Sequence, residues 1–311
     1  MSYLRESNAY HPLLQIMFLI LCAFLGALVF TIIGMIVWFL FNSNADISLL
    51  MGNPSDMEIN LLRTLQISSS VGMFIAGPIA FAYANEVKPK HYYYFDNKLN
   101  PALLLSVFLL MLCATPLFEW VALMNQKMNL PASLQDLEVW MKAKELEAGE
   151  LTKKLLLMKD YGDLAINLLM IAVIPAIGEE LFFRGGLQNV LGQWFKNHHV
   201  AIWATAVIFS AIHLQFYGFF PRMLLGALFG YLLVYGRSMY LPILGHFLNN
   251  GSAVVMAFIL QKQGKSLDNL DQTSSFNAYG YLISAIITLA LLFCFFKQAK
   301  EYETGYGRNL D

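Results

Sequence analysis

Two adjacent glutamates and an arginine four positions later lie in a stretch of apolar residues: Glu179, Glu180 and Arg184. On an α-helix, Glu180 and Arg184 share a face and can pair, whereas Glu179 points roughly 100° away from Glu180. Pairing neutralises Glu180, so Glu179 is the carboxylate left free for proton transfer. Pro175 cannot donate a backbone hydrogen bond to the carbonyl of Ile171, and this break can admit water beside Glu179.

Two other apolar stretches carry polar side chains that suit the same chemistry. One stretch leads from Phe209 to His213, and the other contains His246 and Asn250, which share a helix face. One carboxylate, two imidazoles and an amide can together activate a water molecule and stabilise an oxyanion. Each polar residue can equally form a hydrogen bond that joins two membrane helices and has no role in chemistry. Glu179, His213 and His246 can also form a zinc site with an open position.

The composition shows which elements must position these residues. Of 311 residues, 58% are hydrophobic and only 13% are charged, whereas soluble domains carry roughly 25% charged residues. Ionisable groups deep in a membrane span are costly and therefore indicate function. The 20 basic and 21 acidic residues give a net charge of −1, so a nucleic-acid partner is not expected. The three cysteines all lie in apolar runs and are expected to be reduced packing residues.

The fold class predicted is all-α: a polytopic membrane protein of about eight transmembrane helices plus one amphipathic surface helix. Lipid cannot satisfy free backbone groups, and these long runs lack the alternation of a β-barrel. Gly226 and Gly230 have the spacing of a close helix contact. We expect one membrane domain over residues 1–311, with the motif-bearing core at about 165–260. The spans are predicted at residues 12–41, 61–84, 101–124, 165–190, 200–216, 221–236, 241–260 and 277–296.

The orientation follows from basic residues outside the spans. Nine Lys and Arg lie on the side shared by both termini, against ten on the other side, six of them in one long segment. Setting that segment aside leaves nine against four, which places both termini in the cytoplasm. We therefore expect an integral, multi-pass membrane protein whose environment is the lipid bilayer.

The long segment between the third and fourth predicted spans differs from its surroundings. Ser133 and Asp136 resemble a capping box, and apolar residues then recur at near-helical spacing among Glu and Lys. An amphipathic interfacial helix at about 131–160 is the interpretation we prefer. A lid over the site is the alternative.

The motifs have a known counterpart. Glu179-Glu180-x-x-x-Arg184, Phe209-x-x-x-His213 and His246-x-x-x-Asn250 resemble the three motifs of the CAAX protease and bacteriocin-processing family, which includes the Ras-converting CAAX endopeptidase. The resemblance covers residues 171–251, about a quarter of the chain. All three motifs are intact and fall in the predicted spans four, five and seven.

The resemblance implies an intramembrane endopeptidase of the glutamate type. Glu179 would activate a water, His213 would hold and polarise it, and His246 and Asn250 would donate to the oxyanion. Glu180 and Arg184 would support the site structurally. The resemblance implies no cofactor and disfavours zinc.

Several functions are consistent with these residues. The leading one is hydrolysis of a peptide bond near the membrane surface, in a peptide or membrane-protein substrate. A non-catalytic scaffold or a bacteriocin-immunity protein is the alternative, with the polar cluster used for binding. A zinc metalloprotease also remains open. A transporter is disfavoured because we find no internal repeat.

Overall fold

The computed structural model describes residues 10–42, 58–97, 99–267 and 276–307, with side chains as far as residue 301. This part of the chain is helical and contains no strand. Two single turns of 3₁₀-helix, Ala132–Leu134 and Phe216–Gly218, precede two of the helices. The helices are α1 (Pro12–Phe41), α2 (Ile59–Ala84), α3 (Pro89–Tyr92), α4 (Pro101–Gln126), α5 (Gln135–Leu155), α6 (Tyr161–Phe195), α7 (His198–Ala211), α8 (Phe219–Gly236), α9 (Tyr240–Lys262) and α10 (Ala278–Gly307).

Seven of the described helical segments are long and apolar enough to cross a membrane. They contain α1, α2, α4, α6, α8, α9 and α10, which confirms a polytopic all-α membrane protein. The fifth predicted span is shorter than expected. Helix α7 has 14 residues, about 21 Å at 1.5 Å per residue, and a hydrocarbon core is about 30 Å thick. It ends at Ala211 instead of residue 216, so His213 lies in a turn after the helix.

Helix α5 lies in the segment predicted to be amphipathic, but it begins differently. Its cap residue is Leu134, with no side-chain hydrogen bond, so the predicted capping box at Ser133 is wrong. The backbone amide of Leu130 donates instead to Glu138 Oε2 at 3.0 Å. No residue of α5 is fully buried. Leu151 and Leu155, near its end, pack against α1 and α2.

Helix α6 changes its winding where the motif lies. At Leu168–Val173 and at Glu180–Gln188 the helix widens to hydrogen bonds between residues five apart. Such wide turns are frequent at functional sites. Helix α2 has a similar wide turn at Val71–Ala76. Gly178 lies against Phe74 of that turn with no room for a Cβ atom, so α2 and α6 approach closely beside the glutamates.

Close packing also brings α8 against α6 and α7, as the two glycines predicted. A Cβ atom on Gly226 would lie 3.3 Å from Ala206, and one on Gly230 would lie 2.6 Å from Gln188 Oε1 and 2.9 Å from Ile202. In a membrane, where lipid is as apolar as the helix surface, such close contact is a main source of helix association.

Two apolar clusters build the interior of the bundle. The first joins α1, α2, α6 and α7 and includes Phe183 and Phe209. The second joins α4, α8, α9 and α10 and includes Phe229. The guanidinium of Arg184 lies over Phe209 at 4.6 Å and near Phe229 at 5.5 Å. The charged motif therefore sits where the two clusters meet.

A buried ion pair ties the ends of α2 and α6 together. Arg63 bonds Asp163 at 2.7 Å and the carbonyl of Leu157 at 2.9 Å, and only 6% of Arg63 is exposed.

Candidate active site

Glu180 and Arg184 pair as their spacing predicted. Arg184 Nη1 lies 3.0 Å from Glu180 Oε1, and both side chains are fully buried. Arg184 Nη2 also donates to the carbonyl of Gly226 on α8 at 3.2 Å. The pair persists although α6 is wound more widely here than an α-helix. It joins α6 to α8 and gives Glu180 a counter-charge.

His246 of α9 lies between the two glutamates. Its Nδ1 is 2.7 Å from Glu180 Oε1, and its Nε2 is 3.8 Å from Glu179 Oε2. Because an ionised carboxylate only accepts hydrogen bonds, the Nδ1 hydrogen is directed to Glu180. The ring stacks on Phe229, with centroids 5.4 Å apart. The hydrogen bond to Glu180 and the stacking on Phe229 together direct Nε2 towards Glu179. The Glu179 side chain is 16% exposed and is therefore the more accessible of the two glutamates.

Asn250 fastens α9 to the first wide turn of α6. Its Nδ2 donates to the carbonyl of Ile171 at 3.0 Å, the carbonyl that Pro175 cannot bond. Its Oδ1 accepts from the side chain of Asn249 at 3.0 Å. The proline was expected to break the hydrogen-bond pattern of α6 at Ile171. The Ile171 carbonyl accepts a hydrogen bond from a side chain of another helix instead.

His213 lies next to this group but is not bonded to it. Its Nδ1 is 2.7 Å from the carbonyl of Phe209, so Nδ1 carries the hydrogen and a neutral ring presents Nε2 as an acceptor. The Phe209 ring packs against both His213 and His246, at centroid distances of 5.1 and 6.2 Å. Leu214, the next residue, has φ +53°, an uncommon conformation for a bulky residue. Backbone strain of this kind is often found at functional sites.

The structure thus brings Glu179, Glu180, Arg184 and His246 into one contiguous group, with Asn250 one turn away. It does not assemble the three-residue metal site that spacing alone left open. Among the described residues, no three His, Cys, Asp or Glu side chains are close enough to hold a metal ion.

Arg222 is a neighbour of the site that no motif in the sequence marks. It lies in the first turn of α8, and its Nη2 donates to Gln215 Oε1 at 2.6 Å. Its charge lies close enough to interact with His213 and with Glu179. Arg222 falls inside the predicted span 221–236, and a charge within a span is a signal of function. Because it lies next to the start of the span, it was counted only as a positive charge at the membrane surface.

Comparison with known proteins gives one match. Residues 162–252 match the sequence model of a family described as "Type II CAAX prenyl endopeptidase Rce1-like". The matched segment contains all seven residues named in the three motifs, and Arg222. No curated protein and no solved structure matched the chain significantly. The match confirms the resemblance drawn from the three motifs: over this segment the chain is similar to a family of CAAX prenyl endopeptidases.

Proposed function

We propose that this protein hydrolyses peptide bonds with a water molecule activated by Glu179. The observation that carries the proposal is the position of His246 between Glu180 and Glu179. Glu180, paired with Arg184, orients the imidazole. The imidazole directs Nε2 at Glu179, which forms no ion pair with an arginine among the described residues. This arrangement prepares one glutamate for chemistry and commits the other to structure.

The gap between the two groups suits a water molecule. Glu179 Oε2 and His246 Nε2 are 3.8 Å apart, too far for a direct hydrogen bond. A water about 2.8 Å from each atom would bridge them. The wide turns of α6 and the partial exposure of Glu179 give that water a route to the site.

The reaction then needs no covalent acyl-enzyme. Glu179 takes one proton from the water while the water oxygen forms a bond to the carbonyl carbon, and the carbonyl oxygen becomes an oxyanion. When the intermediate collapses, the C–N bond breaks and Glu179 passes its proton to the departing nitrogen. The products are a carboxylic acid and an amine.

The remaining motif residues support this step in ways the contacts suggest. Glu180 and Arg184 hold His246. His213, with Nδ1 bonded to Phe209, presents Nε2 as an acceptor for the water's second hydrogen in place of His246. Asn250 has one of its two amide hydrogens on Ile171, and the other is free to point at substrate.

We further propose that no metal takes part. If so, activity survives prolonged chelation, and purified protein contains no stoichiometric zinc. A metalloprotease would lose activity to the chelator and regain it with zinc.

The substrate is proposed to be a peptide or membrane-protein segment at the membrane surface. The test compares membranes containing wild type, Glu179→Gln or Glu119→Gln, followed by mass spectrometry of protein termini. Glu119 is the matched control, because it is also a membrane-span carboxylate and binds Tyr281 at 3.3 Å, away from the motif. We expect Glu179→Gln to slow cleavage by about 10²–10⁴-fold and Glu119→Gln to cleave as wild type does.

The non-catalytic alternative makes the opposite forecast. A scaffold or immunity protein would retain all functions in Glu179→Gln, and only Glu180 and Arg184 variants, which disturb packing, would lower its abundance. Identical termini in wild-type and Glu179→Gln membranes would refute the proposed hydrolysis.

A further inference from the structure

The donors available to an oxyanion are few in this site. His246 and His213 both direct their Nδ1 hydrogens to fixed acceptors, the Glu180 carboxylate and the Phe209 carbonyl. In neutral rings, both Nε2 atoms are therefore acceptors. If His246 carries a second proton, that hydrogen faces Glu179, where the attacking water lies. Peptide hydrolysis by the proposed route places the oxyanion elsewhere, where the second amide hydrogen of Asn250 is one donor and a second donor is needed.

Arg222 has a guanidinium nitrogen that is not in use. Its Nη1 is buried and has no hydrogen-bond partner among the described residues, whereas Nη2 is held by Gln215. Gly218 lies against the guanidinium, and a Cβ atom there would be 3.2 Å from Nη2. The loop after His213 therefore fixes the Nη2 side of the guanidinium, and Nη1 on the other side is left without a partner among the described residues.

The charge of Arg222 also lacks a close counter-ion. Glu179 and Glu145 of α5 are the carboxylates whose charges act on it, but no ion pair joins Arg222 to either of these described residues. It lies in the first turn of α8, where the helix dipole disfavours a cation. An unpaired, buried N–H on a cation is costly, and an anion arriving between Arg222 and Glu179 would satisfy it.

We propose that Arg222 is a further catalytic residue, whose Nη1 donates a hydrogen bond to the oxyanion of the tetrahedral intermediate. This inference rests on the proposed function. When water attacks, the carbonyl π electrons move onto oxygen, and Arg222 stabilises that charge without giving up a proton. The charge then returns as the carbonyl re-forms and the amine leaves.

The test separates rate from binding. It uses the peptide that wild type cleaves fastest from a library of internally quenched apolar peptides in phospholipid nanodiscs. We expect Arg222→Met to lower kcat by about 100-fold while KM stays within about threefold, as for the loss of one oxyanion donor. Arg222→Lys, which keeps a charged donor, recovers part of the loss. Arg237→Met removes the same charge about 22 Å along α8 and leaves kcat unchanged.

A second measurement holds even if the variant folds poorly enough to reduce the active fraction. A phosphonate analogue of the peptide, with a tetrahedral anionic group at the scissile bond, should bind Arg222→Met about 100-fold more weakly than wild type. The intact peptide, measured in a Glu179→Gln background, should bind equally with and without Arg222.

The two proposals fail separately. If wild type and Glu179→Gln act alike on the peptide, the proposed hydrolysis is refuted and this inference with it. If Glu179 is required but Arg222→Met has the kcat of wild type, or changes only KM, the oxyanion role alone is overturned.

Discussion

Removing both members of the Glu180–Arg184 pair should destabilise the protein by less than the sum of the two single removals. The two groups are 3.0 Å apart and fully buried. Coulomb's law gives about 5.5 kcal/mol of attraction at that distance with an effective dielectric constant of about 20. Desolvation of both charges opposes this attraction, so the pair adds less net stability than the Coulomb figure, whereas a lone buried charge has only the cost.

The perturbation is a double-mutant cycle of Glu180→Gln and Arg184→Met. Gln keeps an oxygen that accepts from His246 Nδ1, and Met is an apolar side chain of similar length. Each single change should lower the free energy of unfolding by about 3–5 kcal/mol. The double variant should lose less than the sum, with a coupling energy of about 2–3 kcal/mol.

The assay is equilibrium unfolding in mixed micelles of dodecyl maltoside and sodium dodecyl sulfate, followed by tryptophan fluorescence and far-UV circular dichroism. Additive losses, within about 0.5 kcal/mol, would show that the charges do not stabilise each other. Single losses below about 1 kcal/mol would show that neither charge is desolvated in the folded protein.

Three further changes test other contacts. Asn250→Leu removes the side-chain hydrogen bond to the Ile171 carbonyl and should cost about 1–3 kcal/mol in the same micelle assay. Gly230→Ala should cost about 1–3 kcal/mol through overpacking, whereas Gly149→Ala, on open α5 with nothing near, should gain up to about 1 kcal/mol. The hydrogen bond from Lys142, and then that from the Leu130 amide, lower the pKa of Glu138. The stability that Glu138 contributes to the start of α5 is therefore complete above the ordinary glutamate pKa and is lost as pH falls through the lowered pKa. Faster backbone hydrogen exchange at the start of α5 should report this loss.

The helical bundle could be predicted from the long apolar runs, because a membrane-spanning helix needs about 20 consecutive, mostly apolar residues. Seven of the eight predicted spans correspond to long apolar helices, at Pro12–Phe41 for example with the same bounds. The ends were harder. Apolarity continues past Ala211 into the turn that contains His213, so composition alone could not place the end of α7.

The candidate site was predictable where contacts are local and not where they join helices. The Glu180–Arg184 pair follows from a spacing of four residues. The position of His246 between the glutamates joins residues 66 positions apart, and no periodicity encodes it. Arg222 was overlooked because hydropathy counts charges without showing which partners they lack. Whether 131–160 gates the site remains a prediction, although Glu145 does accept from the amide of Tyr217 at 3.4 Å.

The local character of the Glu180–Arg184 pair has a consequence for how the protein is made. Helix α6 ends about 45 residues before α9 begins, so it enters the bilayer before α9 is synthesised. Each charge at mid-membrane costs about 2.5–3.5 kcal/mol on insertion scales. Because two of the three charges deep in α6 cancel within one helical turn, α6 can insert nearly as a singly charged segment. Glu179 has no His246 beside it until α9 has inserted. The carboxylate proposed to react therefore gains its partner only after most of the chain has entered the membrane.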